Sequence, residues 1–118
     1  MVNDVGWSVR AEDDFGEVHL DPTRAALDDL VNYVTSTGGY LVVKRADLSR
    51  DHFAQVVLEG SGGRDLWAVE VREGTRCSRA VVDEVVTAQR ALRAWAVRDS
   101  DWRAALRWVE STDEEPAQ

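Results

Sequence analysis

The feature that most constrains the fold is an alternation of apolar and polar side chains between His52 and Gly74, on both sides of a glycine-containing connection. Two β-prone runs joined by the loop Gly60–Asp65 are typical of a β-hairpin. If the loop closes so that Glu59 faces Leu66, the register is fixed and one face of the hairpin becomes continuously apolar. The residues of that face are Ala54, Val56, Leu58, Trp67, Val69 and Val71.

The opposite face of the same hairpin is mixed in character. In this register Gln55 lies opposite Glu70, and Phe53 lies opposite Arg72. Gln and Glu are weak strand formers, so their central position suggests a hydrogen bond between the two strands. A following strand joined by a two-residue turn would also bring Arg79 near Glu70.

A helix is predicted between two turn signals, Asp21-Pro22 and Gly38-Gly39. Asp is a favoured N-cap residue, Pro is favoured at the first helical position, and Gly commonly ends a helix. The apolar stripe of this helix has helical spacing. It consists of Leu27, Leu30, Val31 and Val34.

The remaining elements complete an α+β pattern. They are a short strand at Gly6–Arg10, an extended piece before Asp21, strands at Tyr40–Arg45 and Thr75–Ala80, a helix from about Asp83 to Arg98, and a short segment at Ser100–Val109 that begins with a cap-like Ser-Asp. Helices that flank an antiparallel sheet in this order cover one of its faces. We therefore predict one two-layer α+β domain over residues 1–110, with an antiparallel sheet of about four to five strands and helices on one face. Residues 111–118 are predicted to form a flexible acidic tail.

Charge and composition narrow the classes of partner. The chain has 22 acidic and 14 basic residues and a formal net charge of −8. Phosphate backbones repel such a chain, which argues against nucleic-acid binding, whereas a basic protein partner would be attracted to it. No apolar run approaches the roughly 20 residues that cross a bilayer. The single cysteine excludes an internal disulfide, and the first residues show no secretory signal, so a cytoplasmic protein is expected.

The sequence contains no recognisable catalytic motif. His19 and His52 each lack a second histidine or a cysteine at metal-ligand spacing. The glycine-rich stretch Gly60–Gly63 precedes a strand, whereas a phosphate cradle precedes a helix. The pair Asp13-Asp14 is interpreted as solvated surface, because adjacent carboxylates do not converge across a cleft. We therefore expect a protein that is not an enzyme and that uses no metal or other cofactor.

Several short motifs carry a family resemblance. They are His-Phe-Ala-Gln at His52–Gln55, Val-Glu-Val-Arg-Glu-Gly at Val69–Gly74, the helix end Trp95–Asp99, Trp102-Arg103 and Trp108. In this order, over about Asp21–Glu110, the chain resembles the small α+β immunity proteins found beside polymorphic toxins in actinobacteria. The resemblance implies a non-enzymatic cytoplasmic protein that binds and neutralises a cognate toxin domain. The acidic surface would then occlude the active site of a basic toxin.

A second resemblance leaves an alternative open. The chain is also similar to actinobacterial proteins that resemble type III secretion chaperones, which implies a homodimeric adaptor with an apolar groove for an extended client segment. The sequence does not decide between a monomer and a homodimer. The residues predicted to bind a protein partner lie on the mixed face: Tyr40, Phe53, Gln55, Glu70 and Arg72.

Overall fold

The computed structural model describes residues 6–60, 65–99 and 102–112. In these residues the chain forms seven strands and three helices: β1 Val9–Asp13, β2 Val18–Leu20, α1 Arg24–Ser36, β3 Tyr40–Arg45, β4 His52–Leu58, β5 Trp67–Glu73, β6 Arg76–Val82, α2 Val85–Ala96, α3 Trp102–Ala105 and β7 Val109–Thr112. The strands form one sheet in the order β2-β1-β3-β4-β5-β6-β7, and each neighbouring pair is antiparallel. None of the described helices is long and apolar enough to cross a membrane.

The α+β fold class is confirmed, but the sheet is larger than predicted. Helix α1 packs on β3 and β4, and α2 packs on β3 to β6. The sheet has seven strands and not the expected four to five, because the extended piece before Asp21 pairs with β1 as strand β2 and because strand β7 was not anticipated. Val109–Thr112 is too short to show a clear alternation, and only its pairing with β6 makes it a strand.

The predicted register of the central hairpin is confirmed. Gln55 pairs with Glu70, and Phe53 pairs with Arg72. The backbone N–H of Glu59 donates to the carbonyl of Leu66, at 2.6 Å, as the predicted closure requires. Residues 61–64 of the loop, where the glycine-rich stretch was interpreted as a turn, lie outside the described residues.

The core lies between the helices and one face of the sheet. Its buried members are Ala11, Leu27, Val31, Val34, Leu41, Val43, Ala54, Val56, Val69, Val71, Ala88, Leu92, Trp95, Ala96 and Trp102. Trp108 packs edge-on against Trp102, with ring centroids 5.2 Å apart, and its indole N–H donates to the Trp102 carbonyl at 3.1 Å. The chain after α2 is therefore fixed to the core before it enters β7.

The start of the chain departs from the prediction at two points. The first strand is Val9–Asp13, later in the chain than the expected Gly6–Arg10. The N-cap of α1 is Thr23, whose side chain accepts from the Ala26 N–H, so the assignment of Asp21 as N-cap was wrong. Asp21 instead accepts hydrogen bonds from the backbone N–H groups at the start of β1, a tertiary contact that local propensity does not reveal.

The second helix is shorter at both ends than predicted. It spans Val85–Ala96 with Glu84 as N-cap. The helix begins later than predicted because the preceding strand β6 continues to Val82, beyond its predicted end at Ala80. The predicted Ser-Asp cap at residues 100–101 and the last six residues of the predicted tail, 113–118, lie outside the described residues.

Candidate functional site: the open face of the sheet

One face of the sheet is left uncovered by α1 and α2, and we call it the open face. Because side chains alternate along a strand, the open face consists of the residues that point away from the core. On the six strands β1 to β6, its members are Arg10, Glu12, Val18, Leu20, Tyr40, Val42, Lys44, Phe53, Gln55, Val57, Ala68, Glu70, Arg72, Cys77, Arg79 and Val81. All of them are half-buried or exposed except Ala68, which is small and enclosed by its neighbours.

The five predicted binding residues all lie on the open face, on the adjacent strands β3, β4 and β5. The pairs Gln55–Glu70 and Phe53–Arg72 are next to each other in the sheet. Tyr40 pairs with Val57 on β4. Val57 is four residues from Phe53, so Tyr40 and Phe53 are about 13 Å apart along the strand direction. The structure therefore brings four of the five residues together and places Tyr40 at the other end of the face.

The centre of the open face is a connected polar group. The Gln55 amide donates to one carboxylate oxygen of Glu70, and the Arg79 Nε donates to the other, at 3.1 Å. Arg79 also forms an ion pair with Glu59 beyond the end of β4. Arg79 was not among the predicted binding residues, although the two-residue turn at Gly74 already indicated its position beside Glu70.

A second group of charges lies toward β1. The Glu12 carboxylate is 3.3 Å from the Lys44 Nζ and 3.5 Å from a guanidinium nitrogen of Arg10. Arg72 donates to the carbonyl of Gly74, at 3.3 Å, in the turn that follows its own strand. Most of these charged side chains are paired with one another. The open face holds four basic residues (Arg10, Lys44, Arg72 and Arg79) and two acidic ones (Glu12 and Glu70), so its formal charge is +2 even though the whole chain is acidic.

Apolar side chains surround this polar centre. Tyr40 and Val81 are each 43% exposed, and β2 adds Val18 and Leu20 at one edge of the sheet. Val109 of β7, which pairs with Arg79, is exposed at the opposite edge. Seven strands at a spacing of about 4.8 Å make the face roughly 30 Å wide, which is wide enough for a protein-protein contact of ordinary size.

A separate cluster combines Asp13, Glu17 and His19, in the β1–β2 hairpin on the helix-facing side of the sheet. One ligand atom from each residue lies within 4.8 Å of the others, so the three could hold a divalent metal ion. The sequence analysis did not predict that these three residues lie close together, because the pairing of β1 with β2 brings them together and their spacing in the chain does not show it. Asp13 is buried, so its interpretation as solvated surface was wrong.

The hydrogen bonds of Asp13 account for this cluster structurally. Burial opposes ionisation of Asp13, but hydrogen bonds from the backbone N–H groups of Glu17 and Phe15, together with pairing to His19, outweigh it and lower the pKa of the carboxyl group below 3.8. The two N–H bonds, at 2.9 and 3.0 Å, close the turn between β1 and β2. We therefore assign Asp13 a role in holding this hairpin.

Comparison of the chain with protein-family models, with curated proteins and with solved structures found no match. The open face is the face of the described sheet that α1 and α2 do not cover. Its chemistry suits reversible binding, since it offers hydrogen-bonding groups, paired charges and apolar anchors for a second surface.

Proposed function

We propose that the protein is a non-enzymatic protein-binding module of the immunity type, which docks a cognate toxin domain on its open face and blocks that domain's surface. The observation that carries this proposal is the seven-stranded sheet with one face uncovered, where exposed Tyr40 and Val81 flank the polar centre formed by Gln55 and Glu70. Exposed apolar side chains around hydrogen-bonding groups match the composition of protein interfaces.

The charge of the chain supports a basic partner. A net charge of −8 attracts a basic domain over distances of about a Debye length and raises the rate of encounter. The open face then supplies contact, because most of its charges are already paired and lose less on desolvation than isolated ions would. In this proposal long-range attraction and short-range docking come from different parts of the surface.

One observation favours the second candidate, a homodimeric chaperone-like adaptor. A groove of about 550 Å³ lies between β2 and α1, and its walls are mainly apolar. The lining residues are His19, Leu20, Pro22, Ala26, Asp29, Leu30 and Tyr33. Strand β2 is at the edge of the sheet, so an extended client could pair with its backbone while placing side chains in the groove.

Two exposed tyrosines distinguish the candidates. Tyr40 lies on the open face, whereas Tyr33 lines the groove. The product of the neighbouring gene would be purified and titrated calorimetrically against the wild type, Tyr40→Ala, Tyr33→Ala and a control, Val86→Ala, at an exposed site on α2. If the open face binds the partner, Tyr40→Ala weakens affinity about tenfold or more, and the other two variants bind like the wild type.

The opposite pattern, in which only Tyr33→Ala weakens binding, would contradict the immunity proposal and support the adaptor. Sedimentation analysis supplies a second discriminator, because the adaptor requires a stable homodimer and the immunity proposal does not. A bound partner that is insensitive to both tyrosines would exclude both faces.

A further inference from the structure

An arginine-lined pocket lies in the helical layer, away from the open face. It has a volume of about 210 Å³ and lies where the first turn of α1 meets the last turns of α2. The residues that line it are Arg24, Arg90, Arg93, Ala94, Val97 and Asp99. Three arginines and one aspartate therefore line a single small cavity, in a chain whose overall charge is strongly negative.

The two helices that form this pocket are held in place by contacts beside it. The Gln89 side chain donates to the backbone carbonyl of Asp28 at 2.9 Å, which joins α2 to α1. The Arg93 Nε lies 3.3 Å from the Asp28 carboxylate, so this guanidinium is partly neutralised and oriented. The relative position of the two helices and the orientation of Arg93 are thus fixed without a ligand.

The other two arginines are available to a ligand. Arg24 and Arg90 are exposed, and within the described residues neither forms a hydrogen bond or an ion pair. Cations near the C-terminus of a helix are favoured by its dipole, which accounts for Arg93 in the last turn of α2. Arg24 is the first residue of α1, where the same dipole disfavours a cation, so its position has no local benefit to folding.

We propose that this arginine pocket binds a phosphate group, either as inorganic phosphate or as the monoester of a small molecule. Guanidinium groups present paired N–H donors that match phosphate oxygens, and Arg24 and Arg90 have these donors free of other described partners. The volume is below the range of about 300–1,000 Å³ for sites that enclose drug-sized ligands, so the pocket takes the phosphate and leaves the rest of a monoester in solvent. This site is independent of the open face and of what binds there.

The test is a titration of the full-length, ¹⁵N-labelled protein with inorganic phosphate at constant ionic strength, followed by the amide signals of Ala94 and Val97. Saturable shifts at these amides are expected for the wild type. Arg24→Gln and Arg90→Gln should each weaken the apparent affinity about tenfold. Arg50→Gln is the control, because Arg50 is an exposed arginine of the β3–β4 loop and its loss removes the same charge.

Glycerol phosphate, titrated in the same way, distinguishes the sources of the phosphate: tighter binding than inorganic phosphate assigns the site to a monoester, and equal binding assigns it to the free anion. The melting temperature checks folding, and Arg24→Gln should not lower it, since this variant removes a cation from a helix N-terminus. An absence of saturable shifts in the wild type would overturn the proposal. An equal loss of affinity in Arg50→Gln would also overturn it, because the effect would then be general charge attraction.

Discussion

Gln55 donates a hydrogen bond to Glu70 across the β4–β5 pair, and the same carboxylate accepts a second hydrogen bond from Arg79 on β6. Glu70 therefore links three adjacent strands on the face that the helices leave open. A one-residue slip of β4 against β5 would move polar side chains into the core, and it would also break the hydrogen bonds of this group. This group of three therefore both holds the central register and forms the polar centre of the open face.

A double-mutant cycle measures the link between the first two residues. Gln55→Ala, Glu70→Ala and the double variant should give a coupling free energy of about 0.5–1 kcal/mol in urea denaturation, since the pair is half-exposed. The control cycle combines Gln55→Ala with Glu12→Ala, which is separated from β4 by β3. Coupling in the first cycle no larger than in the control would show that the hydrogen bond contributes nothing to stability.

The register of β4 and β5 could be predicted because two constraints agree there. The apolar alternation has a period of two, and the closure at Glu59 and Leu66 fixes its phase, so every pairing from Phe53 to Val57 follows. The two-layer arrangement follows as well, since only one face of the hairpin is apolar. The positions of four of the five candidate residues relative to one another were therefore readable from the sequence.

The remaining features depend on contacts between distant segments. Strand β7 forms by pairing with the edge of β6, and the contact of Trp108 with Trp102 positions the chain next to that edge. Asp is a favoured N-cap residue, and Asp21 precedes a proline in the sequence. Its carboxylate nevertheless accepts a hydrogen bond from the Val9 N–H of β1, and its backbone has a positive φ of 49°, so it does not cap α1. The arginine pocket likewise joins α1 to the end of α2, about 66 positions apart in the chain, and sequence spacing does not reveal such a convergence.

The C-terminus of α1 gives a test of backbone conformation. Gly38 has φ of +80°, and the N–H groups of Gly38 and Gly39 donate to the carbonyls of Thr35 and Val34, which is the Schellman arrangement. A Cβ at Gly38 meets no atom within 4 Å, so the cost of substitution is conformational and not steric. Gly38→Ala should lower the free energy of unfolding by about 1 kcal/mol, measured by urea denaturation.

Gly38→Asn is the matched variant for this position, because Asn adopts positive φ more readily than Ala. It should retain more of the wild-type stability. Equal losses in the two variants would indicate that something other than the left-handed conformation is disturbed.

Ser78 has a buried hydroxyl group without a hydrogen-bond partner among the described residues. Its side chain is 1% exposed on β6, and its hydroxyl oxygen has no hydrogen-bond partner among the described residues. Burial of an unsatisfied hydroxyl group is unfavourable, so Ser78→Ala should raise the free energy of unfolding by about 1 kcal/mol. Thr35→Val, which removes a buried hydroxyl that donates to the Val31 carbonyl at 2.6 Å, should give no such gain. A loss of stability in Ser78→Ala would mean that the hydroxyl has a role that the described contacts do not show.

The hydrogen bonds of Asp21 should make the stability of the protein depend on pH. Hydrogen bonds from the backbone N–H groups of Val9 and Ser8 stabilise the charged carboxylate and lower the pKa of Asp21 below its ordinary value of 3.8. Because the folded-state pKa is the lower one, this contribution is complete above the unfolded-state pKa and is lost as the pH falls through the folded-state pKa. Asp21→Asn keeps a side chain that tolerates positive φ but removes the charge. The stability difference between the wild type and this variant should therefore be largest near neutral pH and shrink as the pH falls below about 4.

Urea denaturation at about pH 6 and about pH 2 measures that difference directly, and acid effects that are common to both proteins cancel. Thr23→Ala serves as the control, because it removes the N-cap hydrogen bond of α1 without removing a titrating group. Its difference from the wild type should be the same at both pH values. The stability difference between Asp21→Asn and the wild type could instead be the same at both pH values. The hydrogen bonds from Ser8 and Val9 to Asp21 would then not depend on its charge, and the prediction would be wrong.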